Sequence, residues 1–314
     1  MSESGLALSR RFFQASLPLL NDCLPDVMAC AAAGLAGEGS ECLGVDDAVS
    51  RDHAWGPAFC LWIPDELLLK ERTRIEAAMA LLPKSFEGFP VRMSPERRMG
   101  RVGPLPLRGF YRNFLGLDHA PQTWKEWRAI PEYHLCSCTN GAVFMDNLGE
   151  FSAMREALLA YYPEDVRRKK IAARCMVMAQ TGQYNLPRAR QRGELVTAML
   201  AAARFAEAAL SMAFLLNRRF MPFYKWTARL ATDLPILGRE TVDVARKLSR
   251  TAWDHEAQGM DAVGRIEELC AQVAEKLRSL GLTDEPGDWL WTLGPSVQKG
   301  IHDLELRRLN VMED

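Results

Sequence analysis

The chain has 314 residues, 48% of them hydrophobic, and carries 39 Lys and Arg against 40 Asp and Glu for a net charge of −1. That is the composition of a globular protein long enough for two domains with cores of their own, and it argues against bulk nucleic-acid binding. No run of about twenty uncharged apolar residues predicts a membrane span, and the first residues lack the basic-then-apolar order of a secretory signal.

In chain order, apolar residues at helical spacing predict a helix over 5–22 and a second over 25–36 that delivers the chain into a cluster of glycines. Residues 58–63, Ala-Phe-Cys-Leu-Trp-Ile, are continuously apolar and stop at Pro64, which reads as a buried strand. A helix follows over 65–82, then a strand over 89–93, and a Pro, Gly and Arg-rich stretch, 94–109, that reads as an exposed loop. Helices are expected over 108–116 and 121–129. Residues 133–146 read as a hairpin with Asn140-Gly141 at its tip. Beyond 149 strand signals vanish, and helical patterns cover 150–161, 163–181, 188–218, 222–233, 239–280 with a break, and 288–307. The expected organisation is an α/β domain over 1–150 and an all-helical domain over 151–314.

The eight cysteines are scattered, and the close pair Cys136 and Cys138 has no further ligands nearby, so reduced thiols in a cytoplasmic protein are the expectation. Charge is unevenly spread. Residues 22–66 hold nine acids and one base, while 151–230 hold fourteen Lys and Arg against five acids. Such an acidic and a basic surface would suit a cleft for metal and polyphosphate, or simply two solvated faces.

The stretch 38–57, EGSECLGVDDAVSRDHAWGP, holds the densest chemistry. Backbone N–H groups at Gly39 and Ser40 suit phosphate oxygens. Carboxylates just after them, Asp46, Asp47 and Asp52, suit Mg²⁺, which takes oxygen ligands and shares them with substrate phosphates. Asp46 and Asp47 would serve equally well as loop acids or helix caps, His53 as a structural histidine and Trp55 as packing. The pattern is neither a Walker A loop nor a dinucleotide fingerprint.

A Gly-Ser pair followed about a dozen residues later by Asp-x-Asp resembles the signature of the polymerase-beta-like nucleotidyltransferase superfamily, here on Gly39, Ser40 and Asp52. The longer string resembles a bacterial branch of that superfamily classed as a domain of unknown function. The likeness continues in GAVFMDNLGEF (141–151), YYPEDVRRKKIA (161–172), GQYNLPRARQRGE (182–194) and FLLNRRFMPFYKW (214–226). The resemblance implies a mixed sheet flanked by helices, followed by a helical domain that closes over a nucleotide. It further implies transfer of a nucleoside monophosphate from ATP or another NTP to a small-molecule or protein acceptor, with Mg²⁺ held by two or three carboxylates, of which Asp52 matches the pattern; Asp47 or Asp46 would stand in for a missing metal ligand or catalytic acid. The sequence departs from the pattern at Ala54, where the second acid of Asp-x-Asp belongs, and no third carboxylate lies on the strand expected at 89–93. A catalytically degenerate nucleotide-binding or interaction module is therefore the alternative.

In the helical half, Arg167-Arg168-Lys169-Lys170 reads as a solvated charge run. Gly182, Gln183, Tyr184 and Asn185 interrupt a helix, and a break lined by Gln183, Tyr184, Asn185 and Arg188 suits a ligand. The resemblance assigns Asn217 and Lys225, either side of Pro222, to the nucleotide, Lys225 to its triphosphate.

Overall fold

Cys60–Ile63, the continuous apolar run of the sequence, is an inner strand of a four-stranded sheet in the computed structural model, which describes residues 4–52 and 55–314. The elements run α1 (Gly5–Cys23), α2 (Pro25–Met28), β1 (Ala32–Leu35), β2 (Cys60–Ile63), α3 (Asp65–Lys70), α4 (Arg72–Ala80), β3 (Ser85–Phe86), β4 (Phe89–Pro90), α5 (Pro95–Arg98), β5 (Gly103–Pro106), α6 (Leu107–Leu115), α7 (Trp124–Ala129), α8 (Glu132–Thr139), β6 (Ala142–Asp146) and α9 (Glu150–Leu159). Helices follow to the end: α10 (Glu164–Met178), α11 (Leu186–Gln191), α12 (Leu195–Leu216), α13 (Tyr224–Ala231), α14 (Gly238–Arg250), α15 (Glu256–Ser279), α16 (Leu290–Lys299) and α17 (Leu304–Arg308). The protein is α+β and 62% helical, and among the described residues no strand follows β6. Contacts group Met1–Gln122 with Ile130–Ala160 as one unit, and Thr123–Ala129 with Tyr161–Asp314 as a second.

In the first unit the sheet order is β5-β2-β1-β6, with β1 antiparallel to both neighbours and β2 parallel to β5. Every residue of β1 and β2 is buried. Strands covered on both faces lose the polar alternation of half-exposed ones. Trp62 of β2 stacks on Phe151 of α9 at 3.7 Å between ring centroids and meets Phe110 of α6 edge-on at 5.3 Å.

Four local readings are corrected here. Residues 25–36 are not one helix, because α2 ends at Met28 and Ala32–Leu35 is an inner strand. Its alanines favour helix intrinsically, but tertiary packing decides. A Cβ on Gly34 would lie 2.4 Å from the Ala142 carbonyl and 2.9 Å from the Trp62 ring, so strands and indole close onto a bare backbone at a register shift between Ala33 and Gly34. The supposed loop 94–109 contains α5, β5 and the start of α6. β5 includes Pro104 and Pro106, tolerable because it is an edge strand pairing only with β2. Residues 133–138 are helical, so the hairpin over 133–146 does not form; the Cys-Ser-Cys alternation mimicked a strand, while Ser137 and Thr139 hydroxyls bond back to the Tyr133 and Leu135 carbonyls. The strand over 89–93 shortens to Phe89–Pro90, paired with Ser85–Phe86.

In the second unit α10 does not break at GQYN. It continues through a π-turn, Ala179–Asn185, into α11. Gly182 is the reason for its glycine: a Cβ there would fall 2.3 Å from the Phe205 ring of α12. Helix α12 is long and apolar enough to cross a membrane by length and composition, yet 67% of its most apolar window is buried. The charge run is also corrected. Arg167, Lys169 and Lys170 are buried, not solvated.

Candidate functional site

Leaving β1, the first unit's chain turns through Gly37, at φ +134°, into Gly39 and a 3-10 turn, Ser40–Leu43. A positive φ of that size is a conformation that only glycine adopts without strain. Asn140 clamps the turn: its Oδ1 accepts from the Gly37 N–H at 2.9 Å and its Nδ2 donates to the Gly37 carbonyl at 2.7 Å. The Gly141 N–H donates to the Cys42 carbonyl at 2.8 Å, and a Cβ on Gly141 would fall 1.8 Å from the Leu35 carbonyl. The Asn-Gly pair is thus the anchor of the glycine loop rather than a hairpin tip.

This loop forms one wall of a cavity of about 300 Å³, completed by residues 99–102, Leu105, Pro106, Phe110, Asn113, Phe114 and His134. Its lining also contains a buried ion pair, Arg92 Nη1 to Glu41 Oε1 at 3.1 Å. The Glu41 carboxyl folds back over Gly39, where a Cβ would lie 2.4 Å from Oε2. The Arg92 charge is therefore met by the protein's own carboxylate. Arg92 Nε is buried without a hydrogen-bond partner. At the exposed side Arg101 pairs with Glu38 at 3.1 Å. Phe110 and Phe114 contact each other edge-on at 5.2 Å, and Phe114 meets the His134 ring at 5.9 Å. His134 Nδ1 lies 2.8 Å from the Phe114 carbonyl, an acceptor, so that nitrogen is the donor of the bond. Burial pushes the Cys42 thiol well above its ordinary range, with Glu41 adding to the effect; the thiol is not a nucleophile at neutral pH.

Of the residues singled out in the sequence, Gly39 lines this cavity, whereas Ser40, half-buried at the start of the 3-10 turn, does not. The three acids are kept apart in their duties. Asp46 Oδ2 accepts from the Gly5 N–H at 2.8 Å and from Trp55 Nε1 at 3.0 Å, tying the first turn of α1 to the indole. Asp47 Oδ1 accepts from the N–H groups of Val49 and Ser50 at 3.0 and 3.1 Å, capping a second 3-10 turn, Val49–Asp52. Asp52 closes that turn and is exposed; it does not lie on a strand, which starts only at Cys60. His53 and Ala54 lie outside the described residues. Arg51 stacks over the Trp55 ring at 4.6 Å. Among the described residues no three His, Cys, Asp or Glu side chains gather as a metal site. With Asp46 engaged by the Gly5 N–H and the Trp55 indole, and Asp47 by the Val49 and Ser50 N–H groups, the described acids do not gather as a preformed Mg²⁺ site.

The candidates of the second unit separate into clamps and exposed groups. Asn217 bridges the end of α12 to the loop before α14, donating to the Ala213 and Ile236 carbonyls and accepting from the Ile236 N–H at 2.9 Å. Gln183 likewise straps the π-turn to α15 and α16 through Glu267, Asp288 and Leu290. Tyr184 and Arg188 are exposed and stacked on one another, guanidinium to ring centroid 3.5 Å. Lys225 is exposed on α13 with its Nζ 5.3 Å from the Trp226 ring. Sequence reasoning missed Glu41, Arg92, Asn140, Phe110, Phe114 and His134. Only the Asn-Gly pair carried a local signal, and it pointed to a different structure.

Residues 127–227, from α7 to α13, match a domain of unknown function (DUF4037). No curated protein matches the chain, and no solved structure does.

Proposed function

We propose that the first unit is a nucleotide-binding unit of nucleotidyltransferase-like build, with the nucleotide taken in the cavity beside the glycine loop. The observation that carries this reading is the pinned loop itself: Gly37 and Gly39 line a cavity that also offers aromatic rings and Arg101. The volume, about 300 Å³, sits at the lower end of small-molecule sites. Phe110, Phe114 and His134 supply surfaces for a base, and the Arg101 guanidinium, shared with Glu38, supplies donors for phosphate.

Transfer of a nucleoside monophosphate to a small-molecule or protein acceptor remains the activity that the resemblance implies. The spent carboxylates of Asp46 and Asp47 and the alanine at position 54 support the degenerate, binding-only form of it. In the active form Asp52, at the end of the second 3-10 turn, would share Mg²⁺ with the nucleotide's phosphates.

A thermal-shift screen of NTPs, with and without Mg²⁺, tests the binding; a ligand held only by the folded state at 100 times its Kd adds ~2.7 kcal/mol of stability. Binding without nucleotide incorporation into any acceptor supports the degenerate form. Turnover that Asp52→Asn abolishes supports the active form. Turnover gained only in Ala54→Asp marks a dismantled metal site. An unchanged melting temperature with every NTP removes the proposal.

A further inference from the structure

Of the run Arg167-Arg168-Lys169-Lys170, Lys169 and Lys170 turn inward in the second unit and meet the segment 310–314, while Arg167 goes to the Leu215 carbonyl and Glu164. Lys170 Nζ donates to Asp314 Oδ1 at 2.9 Å, and Arg174, one helical turn on along α10, reaches Asp314 Oδ2 at 2.5 Å. From α7, Arg128 Nη2 donates to Glu313 Oε1 at 3.2 Å. Lys169 is wholly buried and has two neutral acceptors, Gln298 Oε1 at 2.8 Å and the Asn310 carbonyl at 2.5 Å. Three cations thus pair with two carboxylates, and a fourth, Lys169, lies buried on the same segment with neutral acceptors alone. A buried ammonium without its own counter-ion is expensive, and burial holds Lys169 down at about 8, with the neighbouring Arg128 charge acting in the same direction. Arg128 Nε adds a buried donor with no hydrogen-bond partner.

We propose that Arg128, Lys169, Lys170 and Arg174 form an anion-binding site whose resident occupant is the acidic segment 310–314, and that a polyphosphate group takes the site by displacing Glu313 and Asp314. A polyphosphate chain carries more negative charge than two carboxylates and more acceptor oxygens, and so meets four cations more completely. Arginine forks and lysine ammonium groups are the donors such oxygens select. The segment is held by side-chain contacts and by Gln298, whose Nε2 donates to the Arg307 and Leu309 carbonyls just before it. The site lies wholly within the second unit and does not rest on the glycine-loop reading.

Calorimetric titration with inorganic tripolyphosphate tests this on the full chain, in the wild type, in Glu313→Gln/Asp314→Asn, and in the latter carrying Lys170→Gln/Arg174→Gln as well. Removing an internal competitor raises the binding-competent fraction, so the acid-to-amide variant should bind about tenfold or more tightly than wild type. The added Lys170→Gln/Arg174→Gln pair should abolish that gain. A folded acid-to-amide variant that binds no more tightly than wild type overturns the proposal, as does binding that survives loss of Lys170 and Arg174. Should the acid-to-amide variant fail to fold, amide exchange of the wild type decides: 310–314 must lose protection in saturating tripolyphosphate, and unchanged protection overturns the proposal. The same tripolyphosphate titration in Asn113→Trp, a variant that narrows the glycine-loop cavity, separates the two sites. Retained tripolyphosphate binding there keeps this site standing whatever becomes of nucleotide binding in the first unit, and its loss overturns the assignment.

Discussion

Glu41 and Arg92, fifty-one residues apart in sequence, meet at 3.1 Å beside the glycine loop with their side chains only 7% and 5% exposed. Removing one member of such a pair strands the other charge out of water, so Arg92→Met should lower unfolding free energy by roughly 3–5 kcal/mol. Urea unfolding of the variant checks this. A loss below about 1 kcal/mol would mean that Glu41 finds water or another donor. The pair explains where sequence reasoning ran out at this scale. The glycines of the loop were legible because turn chemistry is local. Glu41 looked like one acid in an acidic stretch, and Arg92 sat on a strand expected for other reasons. Their pairing depends on tertiary distance, which no local pattern encodes. The acids Asp46 and Asp47 were legible as residues but ambiguous in role, since capping and metal binding both favour a short carboxylate after a turn.

At the scale of elements, spacing succeeded where helices were long and failed where short segments carried mixed signals. α1, α6, α9, α10, α12 and α15 follow the apolar periodicity of the sequence. β1 did not, because Ala-Ala-Gly-Leu has the composition of a helix and the environment of an inner strand. The π-turn at Ala179–Asn185 has the composition of a break because glycine and asparagine are poor helix formers, and the packing of Phe205 against Gly182 keeps the chain helical. The charge run failed for another reason: the carboxylates and carbonyls that meet Lys169, Lys170 and Arg174 lie more than a hundred residues further on. Gly34 offers the sharpest test. With a Cβ only 2.4 Å from the Ala142 carbonyl, Gly34→Ala should force β1 and β6 apart and cost about 1–3 kcal/mol, read as a lower urea midpoint. An unchanged midpoint would show that the register shift between Ala33 and Gly34 absorbs a methyl group freely.

Across the whole molecule, burial of thiols sets the alkaline limit of stability. Burial pushes Cys60, Cys136, Cys138 and Cys175 up to about 12, and Cys42 and Cys270 are likewise raised from an ordinary 9.0. A thiol raised in the folded state binds its proton more tightly there than in the unfolded chain. Its contribution is complete below pH 9.0 and is lost as pH climbs towards about 12. Lys169, held down at about 8, works the other way, since its unfolded form takes up a proton that the fold resists. Six thiols against one lysine predict a net fall in stability above pH 9. Unfolding free energy measured by urea at pH 8 and at pH 10 checks the sign, and a rise over that interval would contradict it.

Nucleotide binding at the glycine loop is the claim on which the functional account turns, and Asn113 gives direct access to it. That side chain is exposed and lines the cavity, so Asn113→Trp should fill the opening without disturbing the core. The measurement is calorimetric titration of Mg²⁺-NTP into wild type and Asn113→Trp, with melting temperatures recorded for both. Saturable binding is expected of the wild type and at least about tenfold weaker binding, a difference of ~1.4 kcal/mol, of a variant with unchanged melting temperature. No binding by the wild type, or equal binding by both proteins, would contradict it.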